Sequence, residues 1–290
     1  MRDTKLPRLA IFGHPERHRV AEVIEEFRGF AKGKAKIVAT CGIKDCSAEV
    51  LKNCDFAVVF GGDGSIISVA RNLSQASVPI IGVNLGKLGF LAEFSVAEFK
   101  EFFIDVVSGK IPVEKRMLLS CKVFSSSNQS KEKFSSVAVN DVFITTGPLH
   151  RMIELKVAVD GQSAVGGLVG DGLIIATPTG STAYNLSASG PILTSSMQAM
   201  VITPICPHSL SFRPIVISAD STVEVFCVRV SSGTTISIDG QDSLRLSVGD
   251  IVRVEREKSD FLVVNNPLRT RWDTLAAKLG WAETPKYERD

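Results

Sequence analysis

Apolar and polar positions along this chain follow two different periods, and the change from one to the other divides it. Arg8 to Gly13 reads as a strand, and Val20, Val23, Ile24 and Phe27 recur behind it at helical spacing. Ala35 to Ala39 reads as a second short strand and Ser47 to Asn53 as a short helix or turn. Phe56 to Phe60 is a continuous apolar run, the pattern of a strand buried on both faces. Ile66, Val69, Ala70 and Leu73 then mark one face of a helix that starts near Ser65. Val78 to Val83 is a fourth strand, and Glu98 to Ser108 is helical. Strands alternating with helices over the first hundred residues predict a Rossmann-like parallel α/β domain, 1–111.

From Lys115 onward strand-like runs dominate. They are Leu118 to Phe124, Ser136 to Thr145, Met152 to Val159, Gly172 to Ala176, Pro214 to Ile217, Val223 to Val230, Thr234 to Ile238, Asp250 to Arg256 and Phe261 to Val264. Asp160-Gly161, Ser232-Gly233, Asp239-Gly240 and Gly249-Asp250 punctuate them as turns. Helical signal is confined to Thr182 to Ser187 and Met197 to Met200. The pattern predicts a second, all-β domain of sandwich type, 112–264. Ser125 to Ser130 reads as a polar hairpin tip. The tail, 265–290, returns to helix around Thr274, Leu275, Lys278 and Leu279, flanked by Trp272 and Trp281, and is expected to pack back on the first domain.

Composition narrows the function classes. Hydrophobic residues make up 44% of 290 residues, enough for a substantial core. Thirty-three basic residues against 31 acidic ones give a net charge of +2, which is no footprint for nucleic acid or an anionic membrane. No apolar run approaches the roughly 18 residues of a membrane helix. The N-terminal residues lead into a strand without a signal-peptide core, so a cytoplasmic protein is expected. The six cysteines include no C-x-x-C pair and read as thiols, mostly small apolar fillers. Cys41, Cys46 and Cys54 are too loosely spaced for a zinc site, and His14 and His18 lack an obvious third ligand, so no metal centre is expected.

Candidate chemistry sits in two stretches. The first is Gly61-Gly62-Asp63-Gly64-Ser65, between the Phe56–Phe60 strand and the helix. A strand, a glycine turn and a helix N-terminus present backbone N–H groups to an anion, and glycines let phosphates approach the backbone. Asp63 is out of place in a simple phosphate cradle, because a carboxylate about 4 Å from a phosphate costs roughly 4 kcal/mol at an effective dielectric of 20. It fits if it takes a proton from an attacking hydroxyl or works with magnesium; otherwise it caps the helix.

The second stretch is Gly170-Asp171-Gly172 through Thr177-Pro178-Thr179-Gly180-Ser181-Thr182-Ala183-Tyr184. A buried strand ends there in a turn dense in hydroxyls, with Tyr184 offering a ring face. Asn140-Asp141 interrupts an apolar strand, and a buried amide and carboxylate need partners. A ribose diol would supply them; a β-bulge or a strand end at the surface is the alternative. His208, between a proline and serines, reads as hydrogen-bonded scaffolding.

Taken together, Gly61-Gly62-Asp63-Gly64-Ser65, Asn84-Leu85-Gly86-Lys87-Leu88-Gly89-Phe90-Leu91, Asn140-Asp141, Gly170-Asp171-Gly172, Thr177 to Tyr184 and Pro207 to Pro214 resemble the NAD kinase family, in the family's order. The resemblance implies transfer of the γ-phosphoryl group of ATP to the 2′-hydroxyl of the adenosine ribose of NAD, giving NADP. It implies Asp63 as general base, with Gly61, Gly62, Gly64 and Ser65 at the donor phosphates. Asn140 and Asp141 would hold the dinucleotide near its riboses. Asp171, Thr182, Ala183 and Tyr184 would bind the rest of NAD, with Ser187 at the edge and Arg151 and Gln241 as further contacts. Mg2+ would arrive with ATP, and the family works as homodimers or homotetramers with the site near a subunit interface. Three positions depart from the common pattern: Ser65 where Thr is frequent, Asp141 where bacterial members often have Glu, and Lys87 where Arg is common. The hydroxyl survives the first change; the others shorten a carboxylate and remove bidentate geometry.

Two rivals stay open at this level. Lipid kinases of the diacylglycerol or sphingoid type also pair a Gly-Gly-Asp-Gly loop with a β-domain, although this chain shows no obvious membrane-binding face. A dinucleotide sensor would bind NAD or NADP without turnover. A Rossmann dehydrogenase fits poorly because no G-x-G-x-x-G follows the first strand, and no P-loop motif is present.

Overall fold

The computed structural model describes residues 6–43, 46, 48–86, 89–125, 128–147 and 151–281. Ser47, Lys87, Leu88, Ser126 and Ser127, singled out above, lie outside the described residues. The chain folds as two compact units, Met1–Glu114 with Leu262–Asp290, and Lys115–Phe261.

In the first unit the chain runs β1 (Arg8–Phe12), α1 (His18–Ala31), β2 (Lys36–Cys41), α2 (Ala48–Lys52), β3 (Phe56–Phe60), α3 (Asp63–Leu73), β4 (Ile80–Asn84), β5 (Phe94–Ser95), α4 (Val96–Val107) and β6 (Val113–Arg116). The sheet order is β2-β1-β3-β4, with β1 parallel to both β2 and β3, β3 parallel to β4, and β5 beside β4. Ala57, Val58, Val59 and Phe60 are buried, as a strand covered on both faces requires. Val20, Ile24 and Phe27 of α1 meet Phe99 and Phe103 of α4 in one core, with the Phe27 and Phe99 rings stacked at 5.2 Å. Helix α4 opens with a capping box, Ser95 accepting from the Glu98 N–H while the Glu98 carboxylate accepts from the Ser95 N–H. Gly82 in β4 is a close-approach position: a Cβ there would lie 2.6 Å from the Leu91 carbonyl oxygen and 2.5 Å from Ile66 of α3. Its absence lets the loop after β4 lie against the strand that carries it.

The second unit holds β7 (Leu119–Ser125), β8 (Asn128–Ala138), β9 (Asp141–Thr145), β10 (Ile153–Val159), β11 (Gln162–Gly170), β12 (Gly172–Ala176), a 3-10 turn at Gly180–Thr182, α5 (Tyr184–Ser187), β13 (Ala199–Ile205), β14 (Ile215–Ser218), β15 (Val223–Arg229), β16 (Thr235–Ile238), β17 (Asp242–Arg245) and β18 (Ile251–Arg256). They form two six-stranded sheets, β11-β10-β15-β18-β7-β8 and β14-β13-β12-β9-β16-β17. The strand pairs within them are antiparallel. One core joins residues of both sheets, among them Leu119, Cys121 and Val225 from the first and Val142, Ile144 and Ile175 from the second.

Three expectations are corrected here. Ser136 to Thr145 is not one strand: β8 ends at Ala138, β9 begins at Asp141, and the two lie in different sheets. Met197 to Met200 is not helical. The run Ala199–Ile205 is a strand paired with β12 and buried from Ala199 to Thr203. Strands β11 and β17 were missed, because both are largely exposed and lack the apolar alternation that marks a half-buried strand.

The chain then returns to the first unit. Strand β19 (Phe261–Val264) lies between β4 and β6 in the first sheet, and α6 (Arg271–Leu279) follows. The Asn266 amide donates to the Glu93 carbonyl at 3.0 Å, and Arg269 pairs with Glu98 at 2.6 Å, so the tail is fastened to the unit that opens the chain. Thr270 and Asp273 form a capping box at the start of α6, and Gly280, in the left-handed region at φ 63°, ends it. No helix among the described residues is long and apolar enough to cross a membrane.

Candidate functional site

Strand β3 delivers the Gly-Gly-Asp-Gly loop. The Gly61 N–H donates to the Val83 carbonyl at 2.9 Å, Gly62 is the N-cap of α3, and Asp63 is its first residue. The capping alternative for Asp63 therefore fails, since the N-cap is Gly62 and makes no side-chain bond. The Asp63 carboxylate reaches across to the loop after β4. One oxygen accepts from the Phe90 N–H at 2.8 Å, and the other from the Leu91 and Ala92 N–H groups at 3.0 Å each. Thus the two motifs 61–65 and 84–91 are joined through a single carboxylate, which is half-exposed.

The glycines around it divide by cause. A Cβ on Gly61 would meet the Ser65 hydroxyl at 2.6 Å, and one on Gly89 would lie 1.9 Å from an Asp63 oxygen. These two are required by the fold. A Cβ on Gly62 or Gly64 would meet nothing within 4 Å, and Gly62 has an extended backbone that any residue adopts. Nothing inside the fold requires glycine at those two positions, which is what a backbone exposed for anion approach predicts.

On the second unit, the structure brings Asn140, Asp141 and the Thr177–Tyr184 turn together. Asn140 sits in the break between β8 and β9, and its carbonyl accepts from the Thr177 N–H at 2.8 Å. The Thr177 hydroxyl donates to the Val139 carbonyl at 2.6 Å and accepts from the Gly180 N–H at 2.9 Å. A Cβ on Gly180 would lie 2.0 Å from the Asn140 carbonyl oxygen, so only glycine fits against that backbone. Asp141 is the first residue of β9 and is buried rather than at the surface. Burial, then the neighbouring Asp239 carboxylate, push its pKa up to about 7, against the pull of the Tyr184 N–H that donates to it. The Tyr184 ring meets Phe143 edge-on at 5.0 Å and remains 37% exposed.

The hydroxyls of the turn serve two ends. Ser181 is fully buried, bonding the Pro178 carbonyl at 2.7 Å and the Leu193 N–H at 3.0 Å. Asn185, also buried, donates to the Ser181 and Pro191 carbonyls at 3.0 and 3.1 Å and accepts from Thr203 at 2.6 Å. These residues brace the turn from within. Thr182 and Ala183 are half-buried, while Tyr184 and Ser187 are exposed.

Other expected residues lie apart. Asp171 is at the opposite end of β12 from Thr177, roughly 20 Å along the strand at about 3.4 Å per residue. Its carbonyl accepts from the Thr146 N–H. Arg151 is exposed and precedes Ile153, which pairs with Gly170, so it belongs to the Asp171 end. Gln241 lies in the β16–β17 turn, its N–H bonded to the Ile238 carbonyl at 2.9 Å. His208 is exposed, and its N–H donates to the Val169 carbonyl. Asp239, whose carboxylate accepts from the Val139, Asn140 and Asp141 N–H groups, was not singled out, because Asp-Gly between strands reads fully as a turn signal.

Residues 18–111 match the model of the ATP-NAD kinase N-terminal domain, and residues 139–266 match that of the ATP-NAD kinase C-terminal domain. The chain belongs to the NAD kinase family. It is 36% identical to the NAD kinase of Magnetococcus marinus, across 95% of this chain and 88% of that one. It is 42% identical to that of Nitrosomonas europaea, across 81% and 77%. The fold matches yeast NADH kinase complexed with NADH at a TM-score of 0.86 and 26% identity, covering 99% of this chain and 91% of that one. It matches an NAD kinase from Archaeoglobus fulgidus in complex with ATP at 0.73 and 26% identity, covering 91% and 96%. Membership of the NAD kinase family covers both units, which sets aside the lipid-kinase rival.

Proposed function

We propose that the chain transfers the γ-phosphoryl group of ATP to the 2′-hydroxyl of the adenosine ribose of NAD, giving NADP, with Asp63 receiving the proton of that hydroxyl. The observation that carries the assignment of Asp63 is its place at the first residue of α3, between two glycines that the fold does not require. A carboxylate offers about four lone-pair positions, and backbone N–H groups occupy three of them here. The fourth suits a ribose hydroxyl, held in place by an oxygen that the Phe90–Ala92 backbone keeps from rotating. Gly62 and Gly64 admit the donor phosphates to the N-terminus of α3, where orphan N–H groups and the helix dipole favour negative charge. Gly61 and Ser65 shape that turn. Phosphoryl transfer passes through a loose transition state, so positioning and charge neutralisation do most of the catalysis.

Magnesium is part of the substrate, held by the phosphates of ATP. Asn140, Asp141, Thr182, Ala183, Tyr184, Ser187 and Gln241 bind the dinucleotide. Arg151 and Asp171, at the far end of β12, take part from a second copy of the chain in a homodimer or homotetramer. The test is incubation of purified protein with ATP, magnesium and NAD, with NADP read by an NADP-specific dehydrogenase. NADP formed by the native protein and abolished in Asp63→Asn supports the reading. NAD bound without product overturns it in favour of a sensor.

A further inference from the structure

The break between β8 and β9 is held by a residue 98 to 100 positions away. The Asp239 carboxylate accepts three consecutive backbone N–H groups, from Val139 at 2.8 Å, Asn140 at 2.7 Å and Asp141 at 3.1 Å. In return the Asp239 N–H donates to the Asp141 carbonyl at 3.0 Å. We propose that Asp239 is a positioning residue for NAD binding, whose carboxylate sets the direction of the Asn140 and Asp141 side chains by clamping the backbone that carries them. The proposal deepens the NAD kinase reading above and rests on it.

Turn chemistry explains only half of what Asp239 does. Asp239 and Gly240 both lie in the left-handed region, φ 52° and 65°, as a hairpin turn between β16 and β17 demands, and Asp-Gly suits that turn. The same fold contains a second turn of this kind. Asp160 and Gly161 join β10 to β11 at φ 53° and 75°. There the Asp160 carboxylate takes one N–H, that of Thr222, at 2.8 Å. Asparagine forms such turns at least as well as aspartate. What the Asp239 position needs from a carboxylate is therefore the capture of three N–H groups, all of which point at oxygens and none of which tolerates an amide NH2.

The clamp has a partner on the other side. Thr177 bonds the Val139 and Asn140 carbonyls through its hydroxyl and N–H, with Gly180 packed close against the Asn140 carbonyl, while Asp239 holds the N–H groups, so the segment is fixed from both faces of its backbone. Two polar side chains at the end of a strand are thereby aimed by bonds that involve neither of them. The clamp also has an electrostatic side. Asp239 raises the pKa of the buried Asp141, which the Tyr184 N–H of α5 counteracts. The cross-strand neighbours are uncharged: Ala176 of β12 faces Asp141, and Ile238 of β16 faces Val142. Asp242, next along β17, is engaged by the Ser136 hydroxyl at 2.9 Å. Burial is the larger cause of the Asp141 shift, and Asp239 is the neighbouring charge that adds to it.

The experiment compares native protein, Asp239→Asn and Asp160→Asn. Each is read by NAD titration, by the pH profile of kcat/KM for NAD, and by amide hydrogen exchange at Val139, Asn140 and Asp141. Asp239→Asn is expected to lose exchange protection at Val139, whose N–H would face the new NH2, and to weaken it at Asn140 and Asp141, whose bonds to the remaining oxygen become neutral. Its KM for NAD should rise at least tenfold while KM for ATP stays within threefold. The inflection near pH 7 from Asp141 should move to lower pH as the neighbouring charge disappears. Asp160→Asn, the same change in a matching turn, should leave all three readings native. A native KM for NAD and a native pH profile in Asp239→Asn overturn the proposal, whether or not protection is lost. Equal losses in Asp160→Asn also overturn it, since they mark a general effect of destabilised turns. If native protein binds NAD but makes no NADP, the kinase reading fails, while binding and exchange still decide the clamp.

Discussion

Asp63→Asn replaces one carboxylate oxygen by an NH2 group and removes the charge. The Oδ1 oxygen, with two N–H donors at 3.0 Å, is the better place for the remaining carbonyl, so the NH2 faces the Phe90 N–H. One charge-assisted bond is lost, worth about 1.5–3 kcal/mol, and two become neutral bonds worth about 0.5–1.5 kcal/mol each. Asp63 is half-exposed, so water recovers part of this, and the local loss should come to roughly 2 kcal/mol. Against a domain stability of about 5–15 kcal/mol the variant stays folded, with a looser Gly89–Ala92 loop. The chemical step loses more, because the hydroxyl has no acceptor for its proton. A loss of a general base lowers turnover about 10²-fold to 10⁴-fold, and a hundredfold loss is about 2.7 kcal/mol of barrier. Steady-state NADP formation at saturating ATP and NAD gives kcat, and a thermal melt run in parallel gives stability. A kcat within threefold of native refutes the assignment of Asp63. Cooperative unfolding already at room temperature refutes the estimate of a local effect.

Gly89→Ala places a methyl 1.9 Å from an Asp63 oxygen, so it should displace the carboxylate and lower kcat at least tenfold in the same assay, while an NAD titration stays near native. Gly62→Ala meets nothing in the fold and should melt like the native protein, but its KM for ATP should rise several-fold as the methyl enters the phosphate approach. Asp141→Asn should stabilise the substrate-free protein at alkaline pH. A folded pKa raised to about 7 from 3.8 means that ionising Asp141 costs stability as pH rises through that window. The variant's advantage should therefore be absent near pH 4, grow up to about pH 7, and level off at roughly 2–4 kcal/mol, read by urea melts across pH. Thiol labelling of the folded protein should modify exposed Cys206 first and leave Cys121 and Cys227 unreacted, since burial pushes both thiols up to about 12.

Local patterns in the sequence determined the first hundred residues well. Period and burial both come from side chains on one short segment, so β1, α1, β3, α3 and β4 were legible, as was the place of Gly61 to Ser65 between a strand and a helix N-terminus. The motif set carried the family. Tertiary structure alone decided what those motifs do to each other. The three N–H groups on Asp63 come from residues 27 to 29 positions later, and those on Asp239 from residues about a hundred positions earlier. Backbone N–H groups carry no residue identity, so no pattern of letters marks them as partners. The same blindness joined β8 to β9, whose apolar residues run on across a break that only Asp239 and Thr177 impose. It also gave no distance between Asp171 and the Thr177–Tyr184 turn, which a fully buried strand holds apart at its two ends.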